Sequence, residues 1–154
     1  MGRYTIAALR VVIALSLAGS LIVQVGILPL LWNDLSGAEH WQRTLFVGLI
    51  ALGIVSLQAC AVCIWQLLTL VRRDAVFSPR SFLYVDVIAA SIGVSSLVLF
   101  VLAALMAEGE AAPGFVGIIG GFGLVAAGLV LLVLVMRTLL TKATQLRSEL
   151  DEVV

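Results

Sequence analysis

"FVGIIGGFGLVAAGLVLLVLVM" occupies residues 115–136, and this stretch decides the fold because its 22 residues include no charged side chain. An α-helix crosses the hydrocarbon core of a bilayer with about 20 predominantly apolar residues. Three further segments meet the same requirement, at residues 6–31, 45–71 and 82–107. Strands of a membrane β-barrel would show alternating segments of about ten residues, which these continuous runs do not. The sequence therefore predicts an all-α integral membrane protein built as a bundle of four transmembrane helices.

The amino-acid composition is also that of a protein whose surface is mainly in contact with lipid. The 154 residues are 62% hydrophobic and 12% charged, whereas a typical soluble domain carries about 25% charged residues. A chain of this length has too few polar side chains to cover a water-facing surface. Because the formal net charge is zero, we expect no direct nucleic-acid partner. We interpret residues 1–154 as a single membrane domain.

The placement of basic residues predicts the orientation, because Lys and Arg collect in cytoplasmic loops. One side would hold Arg43 together with Asp34, Glu39, Glu108 and Glu110. The other side would hold both chain ends and the connection between the second and third spans; its basic residues are Arg3, Arg10, Arg72, Arg73, Arg80, Arg137, Lys142 and Arg147. We therefore expect both termini in the cytoplasm, with the first span retained as a helix and not cleaved as a signal peptide.

Residues 137–152 predict a helical tail that continues the fourth span into the cytoplasm. Glycine and proline are absent from this segment, and apolar residues recur at helical spacing at Leu139, Leu140, Ala143, Leu146 and Leu150. The apolar stripe has two interpretations. It rests on the protein's own central connection or on lipid headgroups, or it is a docking surface for a partner helix.

Asp86 is the one carboxylate inside a predicted span. Ser78 and Pro79 form a helix-start signal, so Asp86 would lie about two turns into the third helix. An acid inside a membrane requires a partner or marks a functional pathway. We expect an ion pair with Arg10, with Arg72 and Arg73 as alternatives. A minimal transporter or ion pathway centred on Asp86 is a second hypothesis.

Cys60 and Cys63 form a C-x-x-C pair, which raises the hypothesis of a membrane thiol oxidoreductase. Cys60 lies fifteen residues after Leu45, or about 22 Å along a helix at 1.5 Å per residue, in the cytoplasmic half of the bilayer. Reactive thiolates need an accessible, electropositive site. We therefore interpret both cysteines as packing residues. The single histidine, His40, stands beside Asp34 and Glu39, and we expect neither a metal site nor a cofactor.

Small and amide side chains in the spans predict close helix packing. In the fourth span Gly117, Gly121 and Gly128 fall on one line, and Gly120 and Gly123 begin a second line about 100° around the helix. Small residues allow helix backbones to approach closely. Packing within the chain accounts for both lines, and homodimerisation through one of them is the alternative. The in-span amides, which are Gln24, Gln58 and Gln66, are expected to bond between helices.

The connection between the second and third spans reads "RRDAVFSPRSF" over residues 72–82. This basic turn, with Phe77, Ser78, Pro79 and Arg80 just before the third helix, resembles that of a family of small bacterial four-helix membrane proteins known as domain of unknown function 2975. The likeness extends over nearly the whole chain in length, number of spans and loop placement. Where many members continue with a basic cluster, this chain has Ser81-Phe82-Leu83-Tyr84.

The resemblance implies a function in the bacterial cytoplasmic (inner) membrane. Family members are often encoded beside a small helix-turn-helix regulator, which implies a membrane-side partner or sequestering module for that regulator. No enzymatic activity is attached to the family. The leading hypothesis is therefore a non-enzymatic module whose cytoplasmic face receives a partner, with Arg72, Arg73, Phe77 and Arg80 as candidate contact residues.

Overall fold

The computed structural model describes residues 3–37, 39–72, 79–109 and 111–153, and within these ranges the chain is almost wholly helical. Four of its helical segments are long and apolar enough to cross a membrane. The prediction of an all-α chain with four such helices is confirmed. Their bounds are α1 (Arg3–Ile22) followed by a π-helical turn (Val23–Ile27), α2 (Leu28–Asp34) and a 3₁₀ turn (Leu35–Gly37), then α3 (His40–Arg72), α4 (Pro79–Glu108) and α5 (Pro113–Val153).

The first span consists of α1, the π turn and α2, and Pro29 explains why the helix is not regular. Proline has no N–H, and its ring clashes with the carbonyl four residues earlier in an α-helix. The π turn inserts one extra residue just before Pro29, so that the N–H of Leu28 donates to the carbonyl of Val23. Such bulges relieve helix strain locally. The first span therefore continues past its proline as one apolar segment.

The helices alternate in direction, and α4 lies between α3 and α5. In α4, 44% of the residues in the most apolar window are buried inside the protein, against 6% in each of the other three spans. The first span packs on α3 much less extensively than α3 packs on α4. Because the helices alternate, the beginning of α1 and the end of α5 fall at the same end of the bundle. We call this the basic end, defined by Arg10, Arg72 and Arg137.

The central position of α4 follows from its small polar residues. Ser91, Ser95 and Ser96 are buried. The hydroxyls of Ser91 and Ser95 donate to carbonyls one turn earlier, at 2.7 and 3.0 Å, so burial leaves them satisfied. Ser95 also hydrogen-bonds Ser56 of α3 at 2.7 Å, and Ser96 donates to the carbonyl of Gly123 in α5 at 2.8 Å. Two adjacent sides of α4, about 100° apart around the helix, thus bind its two neighbours at close range.

An apolar groove of about 510 Å³ runs along α4 between α3 and α5. Its walls include Gly53 and Leu57 of α3, Val98 of α4, and Phe122 and Leu129 of α5. Its lining is almost purely hydrocarbon, so it suits contact with lipid tails. α3, α4 and α5 therefore pack side by side, and the apolar groove between them opens towards the lipid.

α5 is 41 residues long, which corresponds to about 62 Å at 1.5 Å per residue. The hydrocarbon core of a bilayer is about 30 Å thick. The helix continues without a break through residues 137–152, as predicted for the tail. Roughly half of α5 therefore extends beyond the hydrocarbon from the basic end.

Candidate functional site

Part of the predicted partner-binding connection can be located. Arg72 ends α3 and is exposed. Arg73 and Phe77 lie outside the described residues. Arg80 is in the first turn of α4, next to Pro79, which places the start of this helix where the Ser-Pro signal predicted it. The candidate site at the basic end is therefore built from Arg72 and from the charged side chains of the neighbouring spans.

Asp86 pairs with Arg137, and the predicted partner Arg10 was wrong. Nε of Arg137 lies 2.6 Å from Oδ1 of Asp86, and Nη2 of Arg137 donates to Oδ2 at 2.7 Å. A guanidinium that meets both carboxylate oxygens makes a strong, directional pair. Both side chains are 42% exposed, as suits a position near the end of the spans. The pair ties α4 to α5.

The order of helix packing explains why Arg10 was the wrong partner. The first span packs on α3, whereas Asp86 belongs to α4 and faces α5. Arg137 is the first charged residue after the uncharged run of the fourth span. From the sequence, Arg137 was interpreted only as one of the basic residues of the tail that predict the membrane orientation. The sequence signal for the pair was that Arg137 and Asp86 lie near the same predicted membrane boundary; the structure adds that α4 and α5 are neighbours.

Arg10 contacts α3 instead. Its Nη2 donates to Oγ1 of Thr69 at 3.0 Å, and its guanidinium carbon lies 5.3 Å from the ring centroid of Trp65. One face of α3 carries three of its residues here, because they are spaced four and three positions apart: Trp65, Thr69 and Arg72. Neither Trp65 nor Thr69 was predicted as a site residue. Their spacing from Arg72 was the available signal, but nothing in the sequence showed that Arg10 would face them.

Polar side chains also join the first span to α3 inside the membrane. Nε2 of Gln58 donates to Oγ of Ser20 at 2.9 Å and to Oε1 of Gln24 at 3.2 Å. Gln24 lies in the π turn. These bonds agree with the expected role of in-span amides between helices, whereas Gln66 is exposed. The first span is thus fixed to α3 by a few polar contacts at two depths.

Cys60 and Cys63 are free, buried thiols on the face of α3 that meets α4. They cluster with Ile88 of α4, and partly buried Leu67 and Tyr84 pack against them. The described residues of this apolar cluster include no cationic group of the kind that stabilises a thiolate. The arrangement suits packing between α3 and α4.

The two glycine lines of α5 have different environments. A Cβ added at Gly123 would meet Leu99 and Phe100 of α4 at 3.4 Å, and one added at Gly120 would meet Ala103 at 3.9 Å. This line therefore packs against α4. The other line consists of Gly117, Gly121 and Gly128, where an added Cβ would meet nothing within 4 Å in the part of the chain that the structure describes. Close packing within the chain thus accounts for one line only.

The opposite end of the bundle carries an aromatic and polar cluster. The guanidinium of Arg43 lies 3.9 Å from the ring centroid of Trp32, and the rings of Trp32 and His40 meet edge to face at 5.9 Å. Nε1 of Trp41 donates to Glu39 at 2.6 Å. Tryptophans at this position suit an interfacial belt. Among residues 3–37, 39–72, 79–109 and 111–153, the acidic and thiol side chains and His40 form no group of three that could hold a metal.

Four apolar helices, an ion pair near their ends and a protruding helical tail define the class as a multi-pass α-helical membrane protein. A family described as "Protein of unknown function (DUF2975)" matches residues 3–154. The chain belongs to this family, as the resemblance of its basic turn had indicated. Neither the curated proteins nor the solved structures provide a match to it.

Proposed function

We propose that the protein is a non-enzymatic module of the bacterial cytoplasmic membrane whose basic end faces the cytoplasm and receives a protein partner. The exposed apolar stripe of the α5 tail is the observation that supports this function. Arg72, the last residue of α3, is at the end of the bundle from which the tail extends, and the sequence that follows it is basic. The partner implied by the family resemblance is a small cytoplasmic helix-turn-helix regulator.

The tail stripe has the form of a helix-docking surface. Leu139, Leu146 and Leu150 are 57%, 61% and 67% exposed, so the described part of the protein leaves most of each side chain uncovered. They fall within about 40° of one another around the helix at 3.6 residues per turn. Leu150 lies about 20 Å beyond Arg137 along the axis, which is farther than the headgroup region extends. A partner helix with its own apolar face would bury these leucines.

Charge at the same end would select the partner. Arg72 is exposed at the same end of the bundle from which the tail extends, and the sequence that follows it adds Arg73 and Arg80. A cytoplasmic partner with acidic residues around its docking helix would be attracted by these charges. Binding would hold the regulator at the membrane. A DNA-binding protein held there is unable to search the chromosome, which gives sequestration as the regulatory outcome.

We expect the double variant Leu146→Glu/Leu150→Glu to lose binding to the proposed partner, a helix-turn-helix regulator encoded beside the gene as is often found in the family. Two charges placed on the stripe would have to be buried against an apolar partner face, which is strongly unfavourable, so binding should fall at least about tenfold. The measurement is co-purification of the co-expressed regulator with the tagged full-length protein in mild detergent.

The matched control is Gln145→Glu/Ser148→Glu. It adds the same two charges to the same exposed helix, but on the face opposite the stripe. The control should retain the regulator. Equal loss in both variants would show a general charge effect, and retention in both would show that the stripe rests on headgroups or on the protein itself. Either result would contradict the proposed docking surface.

The proposed orientation predicts which engineered cysteines react in intact cells. Ser36→Cys lies at the end of the bundle opposite the basic end, and Glu152→Cys lies in the tail. A membrane-impermeant maleimide should label Ser36→Cys in intact cells and Glu152→Cys only after permeabilisation. The native thiols are buried, so the wild-type protein is the background control. Labelling of Glu152→Cys in intact cells would reverse the orientation and remove the cytoplasmic partner with it.

The uncovered glycine line leaves self-association as a further proposed contact. Gly117, Gly121 and Gly128 form a small-residue surface on α5 that the chain itself does not cover in its described residues. Small-residue surfaces of this kind allow two membrane helices to approach closely. A second copy of the chain is therefore the proposed neighbour for this line. Its test is combined below with that of the packed glycine line.

A further inference from the structure

Two clefts at the basic end share the same two cations. One has a volume of about 370 Å³ and is lined by Ile6, Ala7, Arg10 and Arg72. The other has a volume of about 400 Å³ and is lined by Arg10, Trp65, Thr69 and Arg72. The described residues that line these clefts include no carboxylate. Two guanidinium groups therefore border one small region where the first span meets the end of α3.

Arg10 has hydrogen-bonding capacity left over in this position. It donates to Thr69 and lies over Trp65, but its Nε is buried and no residue that the structure describes accepts a hydrogen bond from it. A buried N–H of a charged group without an acceptor is unfavourable. The Thr69 hydroxyl and the Trp65 ring do not neutralise the positive charge. An anion in the cleft would supply the missing acceptor and the missing charge.

Arg72 strengthens the case for an anion. Two like charges that border the same cleft repel one another, and an anion between them would convert repulsion into attraction at both. Guanidinium groups bind phosphate oxygens with two parallel hydrogen bonds. An oxygen-rich anion with several acceptors suits the pair better than chloride. The chemistry of the cleft thus points to a phosphate group.

The surroundings indicate that this phosphate belongs to a lipid. Ile6 and Ala7 give the first cleft an apolar wall on the first span, and Trp65 is an aromatic side chain of the type found at the headgroup level. Basic pockets between membrane helices at the cytoplasmic side are suited to anionic headgroups. We propose that Arg10 and Arg72 bind the phosphate of an anionic phospholipid, with Trp65 and Thr69 completing the site and the acyl chains running along the first span.

The experiment compares lipid retention by the purified full-length protein in native mass spectrometry. Wild type is titrated with phosphatidylglycerol and, separately, with phosphatidylcholine. Phosphatidylglycerol should be retained preferentially. Arg72→Gln should weaken that retention about fivefold, since one basic residue near an anionic lipid contributes about 1 kcal/mol. Lys142→Gln removes one positive charge from the exposed tail and should leave retention unchanged.

Arg72→Gln is the primary variant because Arg72 is exposed at the end of α3, so its loss should not prevent folding. Arg10→Lys is the second variant. It keeps the charge but removes the paired donors of the guanidinium, and it should weaken retention as well. Equal retention by wild type and Arg72→Gln would overturn the proposal. If Lys142→Gln weakened phosphatidylglycerol retention as much as Arg72→Gln, the retention would come from the overall positive charge of the basic end. That result would also overturn the proposed site.

Two further arms identify the anion. Inorganic phosphate added in large excess should not displace phosphatidylglycerol, because it lacks the acyl chains; displacement would assign the cleft to free phosphate instead.

Asp74 follows Arg72 by two residues in the sequence and lies outside the described residues. If wild type retained no lipid and Asp74→Asn did, the Asp74 carboxylate would be the anion that the two arginines bind, and the lipid proposal would be wrong.

Discussion

Replacing Arg137 by glutamine is expected to destabilise the protein by about 2 kcal/mol. Exposed ion pairs contribute about 0–1 kcal/mol, whereas removing one member of a desolvated, hydrogen-bonded pair costs about 2–5 kcal/mol. The Asp86–Arg137 pair is half exposed, so it belongs between these limits. The variant would leave the Asp86 carboxylate inside a span without a counter-charge. Unfolding in mixed detergent micelles, followed by helical circular dichroism, measures the change.

A double-mutant cycle separates the pair from its surroundings. Asp86→Asn/Arg137→Gln should recover much of the stability lost by Arg137→Gln, because no unpaired charge remains. Arg10→Gln, by contrast, should act additively with Asp86→Asn, within about 0.5 kcal/mol. Coupling between Arg10 and Asp86 larger than that between Arg137 and Asp86 would contradict the structure.

The same carboxylate decides between a structural tie and an ion pathway. If Asp86 is a tie, Asp86→Asn lowers the free energy of unfolding and leaves proton and cation flux into proteoliposomes as it was in the wild type. If Asp86 lines a pathway, flux falls in the variant even under conditions where the fold is fully retained. The hydrogen bond and the close ion-pair contact with Arg137 favour the first result.

Gly123→Leu is the second substitution with a large expected effect. Gly123 is buried, and a Cβ added there would lie 3.4 Å from Leu99 and Phe100. A methyl group fits this space as an ordinary contact, so Gly123→Ala should be close to neutral. The three further carbons of leucine would push α5 away from α4 and break the 2.8 Å bond from Ser96 to the carbonyl of Gly123. We expect a loss of about 2–4 kcal/mol.

Gly121→Leu and Gly128→Leu are matched controls on the same helix. Neither position has a described atom within 4 Å of the added Cβ, so unfolding of the monomer in detergent should change little. If a second copy of the chain packs on this line, the same variants should shift the protein from dimer to monomer in crosslinking experiments. Unchanged oligomeric state in Gly121→Leu would remove the proposed self-association, and equal destabilisation by Gly121→Leu and Gly123→Leu would contradict the packing described for α5.

The sequence predicted the spans because the property that drives insertion is local. Apolar length and the absence of charge can be measured on each segment separately, and the four helices lie where those properties placed them. The start of α4 at Pro79 was also predictable, since a Ser-Pro cap is a short-range signal. The continuation of α5 to Val153 followed from the missing glycine and proline.

The contacts between helices were less predictable because they depend on which helices are neighbours. Arg10 and Asp86 both suited a position near the same membrane boundary, and only the central place of α4 shows that they belong to different helix pairs. The glycine lines show the same limit. Periodicity predicted two small-residue surfaces on α5, but it could not show that Gly123 packs within the chain while no described residue covers Gly121.

The loose attachment of the first span has a consequence for how the protein is assembled. The first segment enters the membrane before the others are synthesised, yet the extensive packing surfaces belong to α3, α4 and α5. Until α3 is synthesised, Gln24 and Arg10 lack the α3 side chains to which they bind, and Ser20 has only its hydrogen bond to the carbonyl of Leu17 in the same helix. The first span must therefore be held in the membrane by its hydrophobicity before α3 is present. It then associates laterally with α3, α4 and α5, whose mutual packing does not depend on it.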